Sequence, residues 1–276
     1  MESGIASNSG KTIQSEGNSS TVLGKIFGVF KEPKGVPPIK DQKKVNAMYK
    51  FWRLSIFISI YVLYFVSYIS RKNLSVAMKP MSQDLGISNT DLGILGLVMY
   101  ATYGIGKFVN GVIADRSSVR IMLPITLTLS ALASAGLAYS SIFLNYETIF
   151  GIASIKLVLW SMAFFWGVNG WLQSAAFPLC GKSLTFWFSN KERGTKWSWW
   201  STSHEFGSVA AMLISSIVIS GLITKDGTVL IEGMGWKAAF YVPVIISLVV
   251  SIITFFTLRD KPSSLGLPDI EEYHGT

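Results

Sequence analysis

Leu54-Ser-Ile-Phe-Ile-Ser-Ile-Tyr61-Val-Leu-Tyr64-Phe-Val-Ser-Tyr68-Ile-Ser70 runs without a formal charge and ends abruptly on Arg71-Lys72-Asn73. A window of about 19 residues finds further apolar stretches at Leu92 to Ala114, Ile121 to Tyr139, Ile152 to Cys180, Trp197 to Ile223 and Ala238 to Leu258. Each can cross a hydrocarbon core of ~30 Å as a helix. Lipid offers backbone N–H and C=O groups no hydrogen-bond partner, so an open sheet is excluded. The expected fold is all-α: a polytopic bundle of six transmembrane helices, with the first, fourth and fifth running past these limits.

Composition agrees. Half of the residues are hydrophobic and 14% are charged, against about 25% charged in soluble domains, and the mean hydropathy is +0.43. The single cysteine, Cys180, excludes an internal disulfide framework and a multi-cysteine metal site. The formal charge of +8 does not form one basic helix face, so nucleic acid is not the expected partner. Lys40, Lys43, Lys44, Lys50, Arg53, Arg116, Arg120, Lys182, Lys191, Arg193, Lys196, Arg259 and Lys261 fall on one side of the expected topology. Lys79, Lys225, Lys237 and Lys156 fall on or near the other. The positive-inside rule then places both ends of the chain in the cytoplasm. Residues 1–50, rich in Ser, Gly and Lys without a signal-peptide h-region, read as a polar tail. Residues 51–260 form the membrane domain, and 261–276 begin a central cytoplasmic loop. Six helices also allow two inverted groups of three.

A Lys or Arg at a helix centre costs about 2.5–3.5 kcal/mol on insertion scales. Arg71, Lys107 and His204 therefore demand partners. At 100° per residue, Tyr61, Tyr64, Tyr68 and Arg71 share an arc of roughly 80°. Tyr100, Tyr103, Lys107 and Asn110 repeat the same spacing in the second helix. In the fifth, Ser201, His204 and Ser208 share a face, with Glu205 on its shoulder. Competing readings exist for each: an interfacial belt for the tyrosines, snorkelling for Arg71 and Lys72, an ion pair with Glu205 for Lys107, and a packing role for His204. Cations and hydroxyls with few buried acids describe an anion cavity, in which a guanidinium matches phosphate oxygens bidentately. The implied ligand is a phosphate or phosphoester, and a nearby imidazole could follow its protonation. Walker loops, paired catalytic carboxylates and nucleophile elbows are missing from the sequence, so enzymatic turnover and a bound cofactor are not expected.

Gly111-Val-Ile-Ala-Asp115-Arg116-Ser-Ser-Val-Arg120 resembles the signature loop of the major facilitator superfamily. The resemblance implies that Gly111 permits close helix approach, and that Asp115, Arg116 and Arg120 form a gating charge relay. Tyr68-Ile-Ser-Arg71-Lys72-Asn73, Tyr103-Gly-Ile-Gly-Lys107, Gly170-Trp-Leu-Gln173, Pro178-Leu-Cys180-Gly-Lys182, Glu192-Arg193-Gly194 and Arg259-Asp260-Lys-Pro262 through Tyr273 resemble the organophosphate:phosphate antiporter family. That family includes hexose-phosphate and glycerol-3-phosphate carriers and a hexose-phosphate sensor. The resemblance implies that Arg71 holds phosphate at mid-pore, that Lys107 and His204 line the cavity, and that Tyr64 and Tyr68 flank it. Glu205 and Lys72 are candidates for substrate coupling. Ser201 and Glu205 stand where the family commonly carries asparagines. Members have twelve helices, so the chain is expected to be an amino-terminal half whose missing carboxy-terminal half supplies a second arginine. The expected cargo is hexose 6-phosphate exchanged for inorganic phosphate, with glycerol 3-phosphate, a sensor and a half-size assembly subunit as alternatives.

Overall fold

A computed structural model describes residues 30–275 except 34, 146, 147, 150, 151 and 225. Most of the expected tail, and Lys225, lie outside the described residues. The helices are α1 (Gln42–Leu85), α2 (Asn89–Arg116), α3 (Val119–Tyr139), α4 (Ser154–Gln173), α5 (Ala176–Trp187), α6 (Asn190–Ser220), α7 (Ala238–Thr257) and the short α8 (Ile270–His274). With α4 and α5 forming one span, six spans among the described residues are long and apolar enough to cross a membrane.

Local chemistry sets the ends. Asp41 accepts the Lys43 and Lys44 N–H groups and starts α1, while Gly86, at φ +67°, takes the left-handed conformation that closes it. Ser88 caps α2 through the Asp91 N–H. Ser189 and Glu192 form a reciprocal capping box at the start of α6. Two boundaries differ from expectation. The first helix begins at Gln42, within the segment read as tail, because Asp41 supplies a cap that hydropathy does not register. The fourth apolar stretch, expected as one helix from Ile152, pairs its first two residues with Thr148–Ile149 as a short hairpin and then breaks at Ser174–Ala175. At the break, the Asn110 amide donates to the Trp171 carbonyl (2.9 Å) and to Ser174 Oγ (2.6 Å), holding the turn against α2.

The principal packing partners are α1 with α6, α2 with α4, α3 with α7, α3 with α4, and α1 with α7. Exchanging the first three spans for the last three maps this set onto itself, the pattern of two inverted three-helix groups. A glycine serves each of two equivalent crossings. A Cβ on Gly207 would stand 2.5 Å from the Phe65 carbonyl oxygen, and one on Gly170 would stand 2.5 Å from that of Met99, so both positions require a hydrogen side chain.

Two apolar clusters fill the interior. One contains Ile56, Ile60, Leu63, Leu127, Leu184, Trp187 and Trp200; the other contains Leu74, Met81, Leu95, Met162, Trp166 and Phe240. Between them lies a buried polar layer: Ser70, Arg71 and Asn73 on α1, Ser130 and Ser134 on α3, Asn169 and Gln173 on α4, and Ser247 on α7. Arg71 thus sits at mid-height, not at a rim.

The helix starts and junctions bearing most of the expected inner cations meet at one end. Residues 36 and 39 donate backbone N–H groups to Ser263 (3.0 Å) and Gly266 (2.9 Å). Tyr49 stacks on Tyr273 at 4.2 Å and donates its hydroxyl to the Pro268 carbonyl. The segment expected to begin a central loop is therefore folded onto the bundle.

Candidate functional site

A cavity of about 350 Å³ opens beside the polar layer, lined by Tyr64, Tyr68, Arg71, Lys72, Tyr100, Tyr103, Lys107, Phe177, Trp200, Ser201 and His204. All five residues expected to bind substrate, and Lys72, are brought together here. Arg71 is 7% exposed and does not snorkel: its Nε donates to Gln173 Oε1 at 2.8 Å. Its guanidinium lies over Tyr68 (4.5 Å) and Tyr103 (4.2 Å). Nη2 is buried with no hydrogen-bond partner among the described residues. An orphaned guanidinium donor beside a cavity marks a place for an acceptor.

Gln173 carries a hidden scaffold. Its Nε2 donates to Asn169 Oδ1 (2.8 Å), which also accepts from Ser130 Oγ (2.6 Å). The chain Ser130, Asn169, Gln173, Arg71 locks the fork in place with neutral amides alone. Gln173 appears in the Gly170-Trp-Leu-Gln173 motif, but as a neutral residue in an apolar helix its positioning role was not anticipated; the four-residue spacing of Asn169 and Gln173 was the available signal.

Lys107 lies over Tyr103 (4.9 Å) and Phe177 (5.0 Å). The competing reading of Lys107, an ion pair with Glu205, is not realised: Glu205 Oε1 stands 3.0 Å from His204 Nε2, with side chains 76% and 33% exposed. Successive residues on α6 suffice for that contact, whereas Lys107 is on another helix. His204 also packs against Tyr68 at 5.3 Å and Tyr64 at 6.5 Å, and the Tyr64 ring lies tilted against Trp200 at 4.5 Å. Tyr61 bonds Thr202 Oγ1 (2.9 Å) across α1 and α6, so it belongs to the helix interface. Asn110, expected on the cavity stripe, instead holds the α4–α5 break, because its face of α2 meets α4. Among the described residues no ion pair within 4.0 Å involves Arg71, Lys72 or Lys107.

The signature loop behaves differently from expectation. Among the described residues nothing outside its own helix lies within 4 Å of a Cβ placed on Gly111, and close approach occurs at Gly106, against Ser174, instead. No described ion pair joins Asp115 to Arg116 or Arg120. Lys182 from α5 donates to the Ala114, Asp115 and Ser117 carbonyls at 2.9, 3.0 and 2.9 Å and pairs with Glu32, placing a cation at the negative end of α2. Asp260 accepts from Ser118 Oγ (2.9 Å) and the Arg120 N–H (3.2 Å), placing an anion at the positive end of α3. The loop is stapled by residues from elsewhere in the sequence.

A model described as Major Facilitator Superfamily matches residues 60–273. The chain belongs to that superfamily and is a multi-pass membrane protein. It is 38% identical over 244 residues to a probable hexose phosphate transport protein of Chlamydia pneumoniae, covering 88% of this chain and 48% of the relative. Identity is 34% over 248 residues to a glycerol-3-phosphate transporter of Bacillus subtilis, covering 90% and 50%. It is 32% over 219 residues to a hexose-6-phosphate:phosphate antiporter of Escherichia coli, covering 79% and 43%. The chain spans about half the length of these curated relatives. A crystal structure of a bacterial homologue of the human lysosomal transporter Spinster matches at TM-score 0.62 and 17% identity, over 77% of this chain and 44% of that one, a likeness of fold.

Proposed function

We propose that this chain is the amino-terminal half of an inner-membrane carrier that exchanges a phosphorylated sugar, hexose 6-phosphate first, for inorganic phosphate by alternating access. The observation that carries this function is the buried, carboxylate-free Arg71 guanidinium with an unfilled donor facing a cavity that also holds Lys107. Arg71 grips phosphate oxygens, aided by an arginine from a second six-helix half. Lys107 adds a mobile positive charge, Tyr64 and Tyr68 wall the site, and His204 hydrogen-bonds or takes up a proton. Lys72 and the His204–Glu205 pair couple occupancy to closure, and the Asp115, Arg116 and Arg120 loop moves with the gate. Both chain ends face the cytoplasm.

Without cargo the cations of the two halves repel, and a bound anion offsets that repulsion. The occupied carrier closes and reopens while the empty one resists, which gives exchange rather than leak. Counterflow of labelled phosphate from proteoliposomes, competed by a panel of unlabelled phosphoesters, is the test. Competition by hexose 6-phosphate ahead of glycerol 3-phosphate is expected. Preference for glycerol 3-phosphate would move the substrate to the class named by the Bacillus relative, and phosphoester binding without counterflow would favour a sensor.

A further inference from the structure

Helix α7 ends between two apolar grooves, and an arginine stands at the mouth of each. The groove between α1 and α7, about 250 Å³, is lined by Ser55, Ile58, Ser59 and Val62 against Val250, Ile253, Thr254 and Thr257. That between α3 and α7, about 370 Å³, is lined by Pro124, Ile125, Thr128 and Leu129 against Ser251, Ile252, Phe255 and Phe256. Ile58, Leu129, Ile252, Ile253 and Phe256 are exposed, so both grooves open on the surface of the bundle with apolar walls suited to acyl chains.

Arg259 lies 4.5 Å over Trp52, one turn before Ser55, and Arg120 lies 5.1 Å over Phe255, one turn before Pro124. Both guanidiniums converge on the last carbonyls of α7. Arg120 Nε donates to Phe255 (3.1 Å), and Arg259 Nη1 donates to Phe256 (2.9 Å) and Leu258 (2.6 Å). These bonds use one nitrogen of each fork. The other nitrogens make no hydrogen bond within the described chain, and neither arginine forms an ion pair there. Partial burial, then the positive charge of Arg120, press the Arg259 guanidinium below its ordinary value, while Asp260 acts in the opposite direction. The two cations feel one another. Asp260, itself buried, accepts from Ser118 Oγ and the Arg120 backbone N–H, so these three groups carry one net positive charge at the end of α7.

We propose that one anionic phospholipid clasps the end of α7, its phosphodiester between Arg120 and Arg259 and its two acyl chains in the grooves on either side. Two grooves suit two chains, and one net positive charge suits one phosphodiester. Basic pockets between transmembrane helices are the places where anionic headgroups are held. Tethered there, the lipid ties α1, α3 and α7 together beside the loop at Ser118.

Native mass spectrometry of the intact chain in mild detergent, titrated with phosphatidylglycerol or with phosphatidylcholine, tests this. Retention of one phosphatidylglycerol is expected, with phosphatidylcholine binding at least tenfold weaker. Arg120→Gln and Arg259→Gln should each weaken it about fivefold, and Lys79→Gln, at the opposite end, by less than twofold. Arg120→Lys and Arg259→Lys keep the charge and should keep the preference for phosphatidylglycerol. Ile58→Trp and Leu129→Trp, which fill the grooves at exposed positions, should weaken binding without altering charge. Equal retention of the two lipids, an equal loss in the Lys79 variant, or indifference to both tryptophans would overturn the proposal.

Discussion

The cavity and the terminal end of the bundle, where residues 36 and 39 meet Ser263 and Gly266, are built from the same residue types, with different electrostatic outcomes. At the terminal end four buried or half-buried cations pair with acids, Arg53 with Glu192, Lys182 and Lys261 with Glu32, and Arg193 with Glu271, while Arg120 and Arg259 stay outside these pairs. In the cavity Arg71 and Lys107 lie over aromatic faces, Arg71 also donates to the Gln173 amide, Lys72 lines the same space, and the nearby acid is taken by His204. A charge paired within the chain supports structure, whereas one left unpaired under burial waits for a ligand. Arginine alone therefore says little about role; its partners decide it.

The sharpest way to break this contrast is to give the cavity the acid it lacks. Gln173→Glu would pair with Arg71 inside the bundle, and counterflow in a carrier reconstituted with both halves should fall to background while thermal stability is kept or raised. Retained exchange would show that the bare guanidinium is not what binds. Arg71→Lys keeps the charge but removes the planar fork, a loss of about 2–3 kcal/mol, or roughly 30- to 150-fold in exchange. Wild-type counterflow from that variant would remove Arg71 from the site.

At the terminal end the pattern should invert. Lys182→Met deletes three bonds to the end of α2 and an ion pair, so it should cost about 2 kcal/mol of stability. A lower melting temperature in detergent, with phosphate affinity within about twofold of wild type, is the expected result; the reverse would erase the distinction between the two regions. Smallest of all is Glu205→Gln. An exposed pair contributes less than about 1 kcal/mol, so phosphate affinity by equilibrium dialysis should change by less than about fivefold. A larger change would make the His204–Glu205 pair part of the binding machinery.

Hydropathy and 100° arithmetic were enough to find six spans and to select Tyr64, Tyr68, Arg71, Lys107 and His204, all of which line one cavity. These signals survive in a sequence because burying charge in lipid is costly and a polar residue in an apolar run stands out. Neutral scaffolding does not stand out. Gln173 and Asn169 look like packing until the four-residue chain to Arg71 is seen, and Lys182 looks like an orientation charge until it is found on the carbonyls of α2. Asn110 shared the spacing of its stripe yet faces α4, and Gly111 meets nothing outside its own helix among the described residues, because helical phase tells which residues share a side but not what lies against it.

The chain by itself settled its solvent, its helices and the presence of buried cations, since these follow from transfer energies and local caps summed along the backbone. Partnership was decided only in three dimensions: which acid meets which base, which amide aims the guanidinium, and which donor stays empty. Those outcomes depend on contacts between residues tens to hundreds of positions apart, as from Ser130 to Asn169 or from Tyr49 to Pro268, and no periodicity along one strand of sequence encodes them.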